Sequence, residues 1–249
     1  MTYIPKEQFF RYFRQRLENV RQLSALQPNK KVSSAASFEP EQNILAGAEI
    51  DALAKYWALN EGRPSESSAI RMAEFLATLD GKIWNKCSHV DLRERAVLRG
   101  KSPRLLTTDS QTKALEAMLV RVLPRDAAIN TRVLGWKDDP DFAILKSDAT
   151  LQKAGVPENF LADSRYGAIL YRYYRCAWVH ELNADLRLPT DEPIPSDLRE
   201  DLLGPGPFYM ARNRVRRLHI PTSFILQSLA RAIDSFERSV PDGVSIALD

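Results

Sequence analysis

The sequence predicts a mainly α protein. Three observations carry that expectation. Apolar residues recur at three- and four-residue spacing along most of the chain, long alternating apolar and polar runs are scarce, and 44% hydrophobic with 27% charged residues is the balance of an ordinary globular chain. A length of 249 residues fits one large domain or one with an appendage. We expect a single helical bundle with a short β-hairpin near 208–220.

The first helix is expected over 5–26. There Phe9, Phe10, Phe13, Leu17, Val20 and Leu23 share an inward face, and Arg11, Arg14, Arg16 and Arg21 lie mostly outward. The stretch from Lys30 to Gln42, rich in Ser and Lys, reads as a loop. A second helix over about 41–59 buries Ile50, Leu53, Ala54 and Trp57, and Gly62 and Pro64 stop it. Further helices are expected over about 66–86, 109–122 and 158–186, with shorter pieces around 88–99, 124–147 and 195–203.

Five of the fifteen prolines, at 189, 193, 195, 205 and 207, crowd into Arg187–Phe208, which predicts a rigid excursion from the bundle. Tyr209-Met210 and Leu218-His219-Ile220 then flank a polar, arginine-rich tip ahead of Pro221, the pattern of a hairpin. Thr222 or Ser223 is the expected cap of a last helix whose buried stripe is Ile225, Leu229, Ala232, Ile233 and Phe236. Pro241-Asp242-Gly243 ends it.

Charge excludes some classes of function. Lys+Arg of 35 against Asp+Glu of 32 leaves +3, too weak a field for a dedicated nucleic-acid coat or a membrane-surface protein. Any basic function must be local. The candidates are Arg212, Arg214, Arg216 and Arg217, with no acid among them, and the run Arg93, Arg95, Arg99, Lys101 and Arg104. Either group suits an RNA backbone, and either reads equally well as a solvated charge cluster; the acidic 181–201 stretch is an alternative partner for the first. Two cysteines, Cys87 and Cys176, do not make a disulfide framework. Early charges at Lys6 and Glu7, and the lack of an apolar run approaching ~18 residues, disfavour a signal peptide and a membrane span, so a cytoplasmic location is expected.

No phosphate-cradling loop, HExxH, GxSxG or paired CxxC occurs, which removes several large enzyme classes. The three histidines remain the best candidates for proton transfer near neutral pH. His180 follows Arg175 at an Arg-x4-His spacing, and Ile169, Tyr173, Cys176 and His180 fall on one helical stripe. Arg214-x4-His219 has the same spacing but lies in the expected hairpin. On one straight α-helix Arg175 would sit about 140° from His180, whereas Arg172 would sit about 80° away and is a second phosphate ligand by position. An imidazole can take the proton of a ribose 2′-hydroxyl while a guanidinium fork holds the phosphate, giving a 2′,3′-cyclic phosphate.

The segment Arg175-Cys-Ala-Trp-Val-His180-Glu181 and the helix Ile44-Leu-Ala-Gly-Ala-Glu49-Ile-Asp51-Ala-Leu53 resemble the HEPN superfamily of helical ribonucleases and RNA-binding modules. The closing order of proline-rich stretch, hairpin and final helix extends the resemblance over roughly residues 40–239. It implies a helical bundle that forms a homodimer, in which two Arg-x4-His motifs face each other and cleave RNA without a metal or other cofactor. It further implies His180 and Arg175 as the catalytic pair, with Glu49 or Asp51 at the family's acidic position and a role as a toxin or antiphage effector, restrained by a neutralising protein. The residue after the motif arginine, usually polar in the family, is Cys176 here. That departure keeps a second reading open, a non-catalytic HEPN-like module that binds RNA or a protein.

Plainer readings stand beside these. A lone histidine on an apolar stripe is commonly a satisfied core residue. Tyrosines 166, 171, 173 and 174 suit core or dimer packing. Cys87, His89, Cys176 and His180 contain the donors of a zinc site but lack its usual spacing. Cys176 with His180 as its base lacks an orienting acid.

Overall fold

The computed structural model describes residues 2–26, 38–63, 67–101, 105–123, 136–176, 207–212 and 215–248. The fold is mainly α, as the periodicity predicts, and among the described residues it carries two small antiparallel β pairs. Its contacts group into two compact units. One comprises Met1–Leu79, Leu170–Asp185 and Pro221–Asp249, and the other Asp80–Ile169 and Leu186–Ile220.

In the first unit, strand β1 (Tyr3–Pro5) leads directly into helix α1 (Lys6–Gln22), whose buried residues are Phe9, Phe10, Phe13, Leu17 and Val20. Leu23, expected inward, is only half-buried in a following 3₁₀ turn. Helix α2 (Glu39–Asn60) starts earlier than the expected loop end at Gln42, with a proline in its first turn, where the missing N–H breaks no helical bond. It is the central helix of this unit and packs against α1, helix α3 (Ser68–Leu79), the segment Leu170–Cys176 and the last helix, α11 (Thr222–Ser239). Ile50, Leu53, Ala54 and Trp57 are all buried. Past Glu61 the chain turns through Gly62 at φ +70, a conformation that glycine adopts without the cost of a Cβ.

An aromatic cluster fills the core. Phe236 of α11 meets Phe9, Phe10 and Phe75 with centroids at 6.1, 5.5 and 6.4 Å, all edge-on. Each such pair adds about 0.5–1.5 kcal/mol beyond the area buried. The expected stripe of α11 is buried throughout, but Pro221, not Thr222 or Ser223, occupies the N-cap, and no side chain caps the helix. A pairing absent from the sequence reading closes this unit: β1 pairs antiparallel with β4 (Ser245–Ala247), in the register Tyr3↔Ala247, Ile4↔Ile246 and Pro5↔Ser245.

In the second unit the helix expected over 66–86 proves interrupted. Asp80 adopts extended φ/ψ and its carboxylate accepts from the Lys82 N–H, so a separate helix α4 (Gly81–Trp84) starts there. The chain then runs through Asn85–Ser88 between two partners, with Cys87 N–H donating to Pro140 O, and Ser88 N–H donating to Ser164 O. Ser88 caps α5 (His89–Val97), and Thr108 and Gln111 form a reciprocal capping box at α6 (Asp109–Val122), whose bounds match the expectation.

Helix α7 (Phe142–Ser147) lies within the expected 124–147, of which residues 124–135 lie outside the described residues. Helix α8 (Ala149–Lys153), capped by Asp148, is not expected from the sequence.

The single helix expected over 158–186 is also interrupted. It divides into α9 (Glu158–Ala162), a turn, α10 (Tyr166–Ile169) and the π-helical segment Leu170–Cys176. Tertiary bonds hold the turn open: Arg95 donates to Phe160 O, Ser164 Oγ and Asp163 Oδ2, and Arg165 bridges to Cys87. The expected helix over 195–203 and most of the proline-rich stretch lie outside the described residues. The hairpin forms as β2 (Phe208–Arg212) paired with β3 (Val215–His219). Among the described residues no helix is long and apolar enough to cross a membrane.

Candidate functional site

The candidate residues fall in both units. In the first, α2 carries Glu49 and Asp51 and packs against the segment Leu170–Cys176. Glu49 is buried and accepts from Arg16 Nε at 2.8 Å, a bond that raises the Arg16 guanidinium above its usual value. Asp51 lies 3.5 Å from Arg71 Nη2. The two acids thus have separate arginine partners, neither of which the sequence reading singled out as functional.

Arg172 lies over the Tyr173 ring, its guanidinium carbon 4.8 Å from the centroid, and Tyr173 is buried. Cation–π contact of this kind holds a guanidinium in place without consuming its charge. Arg175 and Cys176 belong to the π-helical segment by backbone; their side chains, together with all of His180 and Glu181, lie outside the described residues. The segment's winding is i→i+5, so residues five apart fall on nearly the same side. The α-helical rotation assumed from the sequence does not apply within it.

In the second unit, His219 of the Arg214-x4-His219 spacing lies on β3, largely buried, and burial pulls its imidazole down to about 4. The strands hold the backbone of Arg212, Arg216 and Arg217; those side chains, and Arg214 entirely, lie outside the described residues. The other basic run is largely neutralised: Arg93 bonds Glu116 at 3.1 Å, Arg99 pairs with Asp109, and Arg95 is interior. Arg104 lies outside the described residues.

The second unit also contains a constellation that the sequence reading missed. Asp139 accepts from the backbone N–H of His89 at 3.1 Å, from His89 Nδ1 at 2.6 Å, from the Tyr166 hydroxyl at 2.5 Å and from the Tyr209 hydroxyl at 2.6 Å. Burial and the Asp139 carboxylate push both phenols well above their ordinary value, so each keeps its proton and donates. Ser88 Oγ, which accepts from Asp91 N–H as the cap of α5, in turn donates to the Tyr209 oxygen at 2.8 Å. With His89 1%, Asp139 2%, Tyr166 0% and Tyr209 1% exposed, the network lies in the interior of the unit. It is a structural knot. Its one local signature in the sequence is Ser88-x-x-Asp91, the start of a helix.

This arrangement also commits two of the four residues offered for zinc, Cys87 and His89; the Cys176 side chain and His180 lie outside the described residues. The Cys87 thiol, which burial raises above its usual value, donates to Leu161 O at 3.6 Å, and His89 is tied to Asp139. Among the described residues no group of three or more His, Cys, Asp and Glu side chains is placed to hold a metal ion.

Comparison with known protein families, curated proteins and solved structures finds no match for this chain. The functional reading therefore rests on its residues alone.

Proposed function

We propose that the chain is a HEPN-like endoribonuclease that works as a homodimer without a metal, with His180 as the proton-transfer group and Arg175 as the phosphate ligand. The observation that supports this most is the packing of α2, with its acidic pair Glu49 and Asp51, against the Leu170–Cys176 segment that carries Arg172 and runs on toward His180. The resemblance sets an acidic helix beside the motif helix in this way.

The reaction divides naturally between the two side chains. The imidazole removes the 2′-hydroxyl proton, the oxygen attacks the adjacent phosphorus, and the guanidinium fork takes the charge that grows on the phosphate oxygens. The leaving 5′-oxygen receives a proton from the second imidazole of the dimer, leaving a 2′,3′-cyclic phosphate. A toxin or antiphage role, with a protein partner that restrains it, follows from the same resemblance.

A second reading is favoured by one specific observation: Glu49 and Asp51 are both taken up by arginine partners, as in a module that keeps the motif for packing. The test is to incubate the purified chain with mixed RNA in EDTA, to analyse the ends, and to run a gel-shift titration in rising salt. Cyclic-phosphate ends formed in chelator support the nuclease. Salt-sensitive binding without cutting selects the module.

A further inference from the structure

Arg71, in the first turn of α3, has a guanidinium whose bonding is incomplete. Of its five N–H donors, the two on Nη2 meet Ser68 Oγ at 3.0 Å and Asp51 Oδ1 at 3.5 Å. Its Nε is buried and has no acceptor among the described residues, and no hydrogen bond extends from Nη1 there either. The side chain is only 13% exposed, and its sole carboxylate contact is long.

The other arginines set the comparison. Arg95 is saturated by Phe160 O, Ser164 Oγ and Asp163, Arg14 by Glu237 and Asp234, and Arg16 has Glu49 at 2.8 Å. Arg165 and Arg172 share with Arg71 a buried Nε that lacks an acceptor among the described residues, but each of their guanidiniums lies over an aromatic ring, Phe142 and Tyr173 respectively. A guanidinium withdrawn from water normally fills its donors, because each one left over carries a desolvation cost. Arg71 is instead held at one nitrogen and left with its remaining donors uncommitted. An anion with several acceptor oxygens would complete it, and a phosphate fits the fork better than any single carbonyl. Its helix packs against α2 and against the Leu170–Cys176 segment, which carries Arg172.

We propose that Arg71 is an anion-binding residue for an RNA phosphodiester, with Asp51 and Ser68 fixing its orientation. The inference deepens the RNA reading above and rests on it for the carrier of the phosphate, not for the anion site itself. Asp51 then acts as a positioning residue, a use the sequence alone does not reveal.

The experiment follows the Arg71 Nε–H resonance of the full chain by NMR during titration with inorganic phosphate, and measures binding of a short oligouridylate against salt in wild type, Arg71→Gln and Arg71→Lys. Phosphate should shift the wild-type resonance. Arg71→Gln should weaken oligouridylate binding roughly tenfold and lower the salt slope by about 0.7, the share of one single-strand phosphate contact. Arg71→Lys, which keeps the charge but not the fork, should restore the slope without the full affinity.

An unmoved resonance, or oligouridylate affinity equal in all three proteins, would overturn the proposal. If phosphate shifts the resonance but oligouridylate neither binds nor is cut, the anion site stands and the RNA reading fails. Should Arg71→Gln not fold, the wild-type resonance and Arg71→Lys still decide.

Discussion

The hydroxyl of Tyr209 donates to the carboxylate of Asp139 at 2.6 Å across 70 residues of chain, fixing strand β2 to the loop ahead of α7. The same carboxylate orients His89 at the start of α5 and receives Tyr166 at the start of α10. One side chain thus ties four separate stretches of the second unit through donors that are all buried.

Removing that acceptor should be expensive. Asp139→Ala leaves the His89 backbone N–H, its Nδ1 and two phenols without their partner, and the expected loss is about 3–5 kcal/mol of unfolding free energy. Tyr209→Phe deletes one donor of the four and should cost about 1–2 kcal/mol. Urea unfolding reads both. A midpoint for Asp139→Ala within error of wild type would show that the knot contributes nothing.

The aromatic core of the first unit makes a separate prediction. Phe236→Ala deletes the ring that Phe9, Phe10 and Phe75 share, and about 3–5 kcal/mol should be lost. Phe236→Leu should retain part of this. Thermal unfolding followed by circular dichroism measures the pair, and equal melting temperatures for wild type and Phe236→Ala would contradict this account of the core.

Acid should destabilise the chain through His219. Its folded-state value, about 4, lies below the 6.5 of an unperturbed imidazole, so between those limits the unfolded chain binds a proton that the folded chain does not. Stability from this residue is therefore complete above about pH 6.5, falls as pH drops, and by about pH 4 has lost on the order of 3 kcal/mol. Replacing His219 with Gln should flatten unfolding free energy against pH in that window. An unchanged slope in the variant would assign the acid sensitivity elsewhere.

What the sequence reveals follows from how local each signal is. Phe9, Phe13 and Leu17, or Ile225, Leu229 and Phe236, lie within one helix, so period alone places them inside. The hairpin is legible for the same reason, since two apolar strand ends and a polar tip lie within a dozen residues of each other. The turn at Asp163–Arg165 is not, because Arg95 and Cys87 create it from some 70 residues away, and helical propensity yields to those bonds. Pairing of β1 with β4 joins the two ends of the chain, and no window of sequence contains both.

The candidate site divides along the same line. Glu49 and Asp51 are readable as an acidic pair on a helix, but their arginine partners, Arg16 and Arg71, come from other helices. Likewise Ser88-x-x-Asp91 announces a helix start, while the donors that converge on Asp139 come from residues 89, 166 and 209. Spacing finds a motif; it does not find what each member touches.

The central claim concerns His180, and one substitution tests it most directly. His180→Ala should retain the helical circular-dichroism spectrum and the oligomeric state of wild type and still bind RNA, yet release no 2′,3′-cyclic phosphate from RNA in EDTA, under conditions where wild type does. Wild-type rates of cyclic-phosphate release from the folded alanine variant would contradict the account.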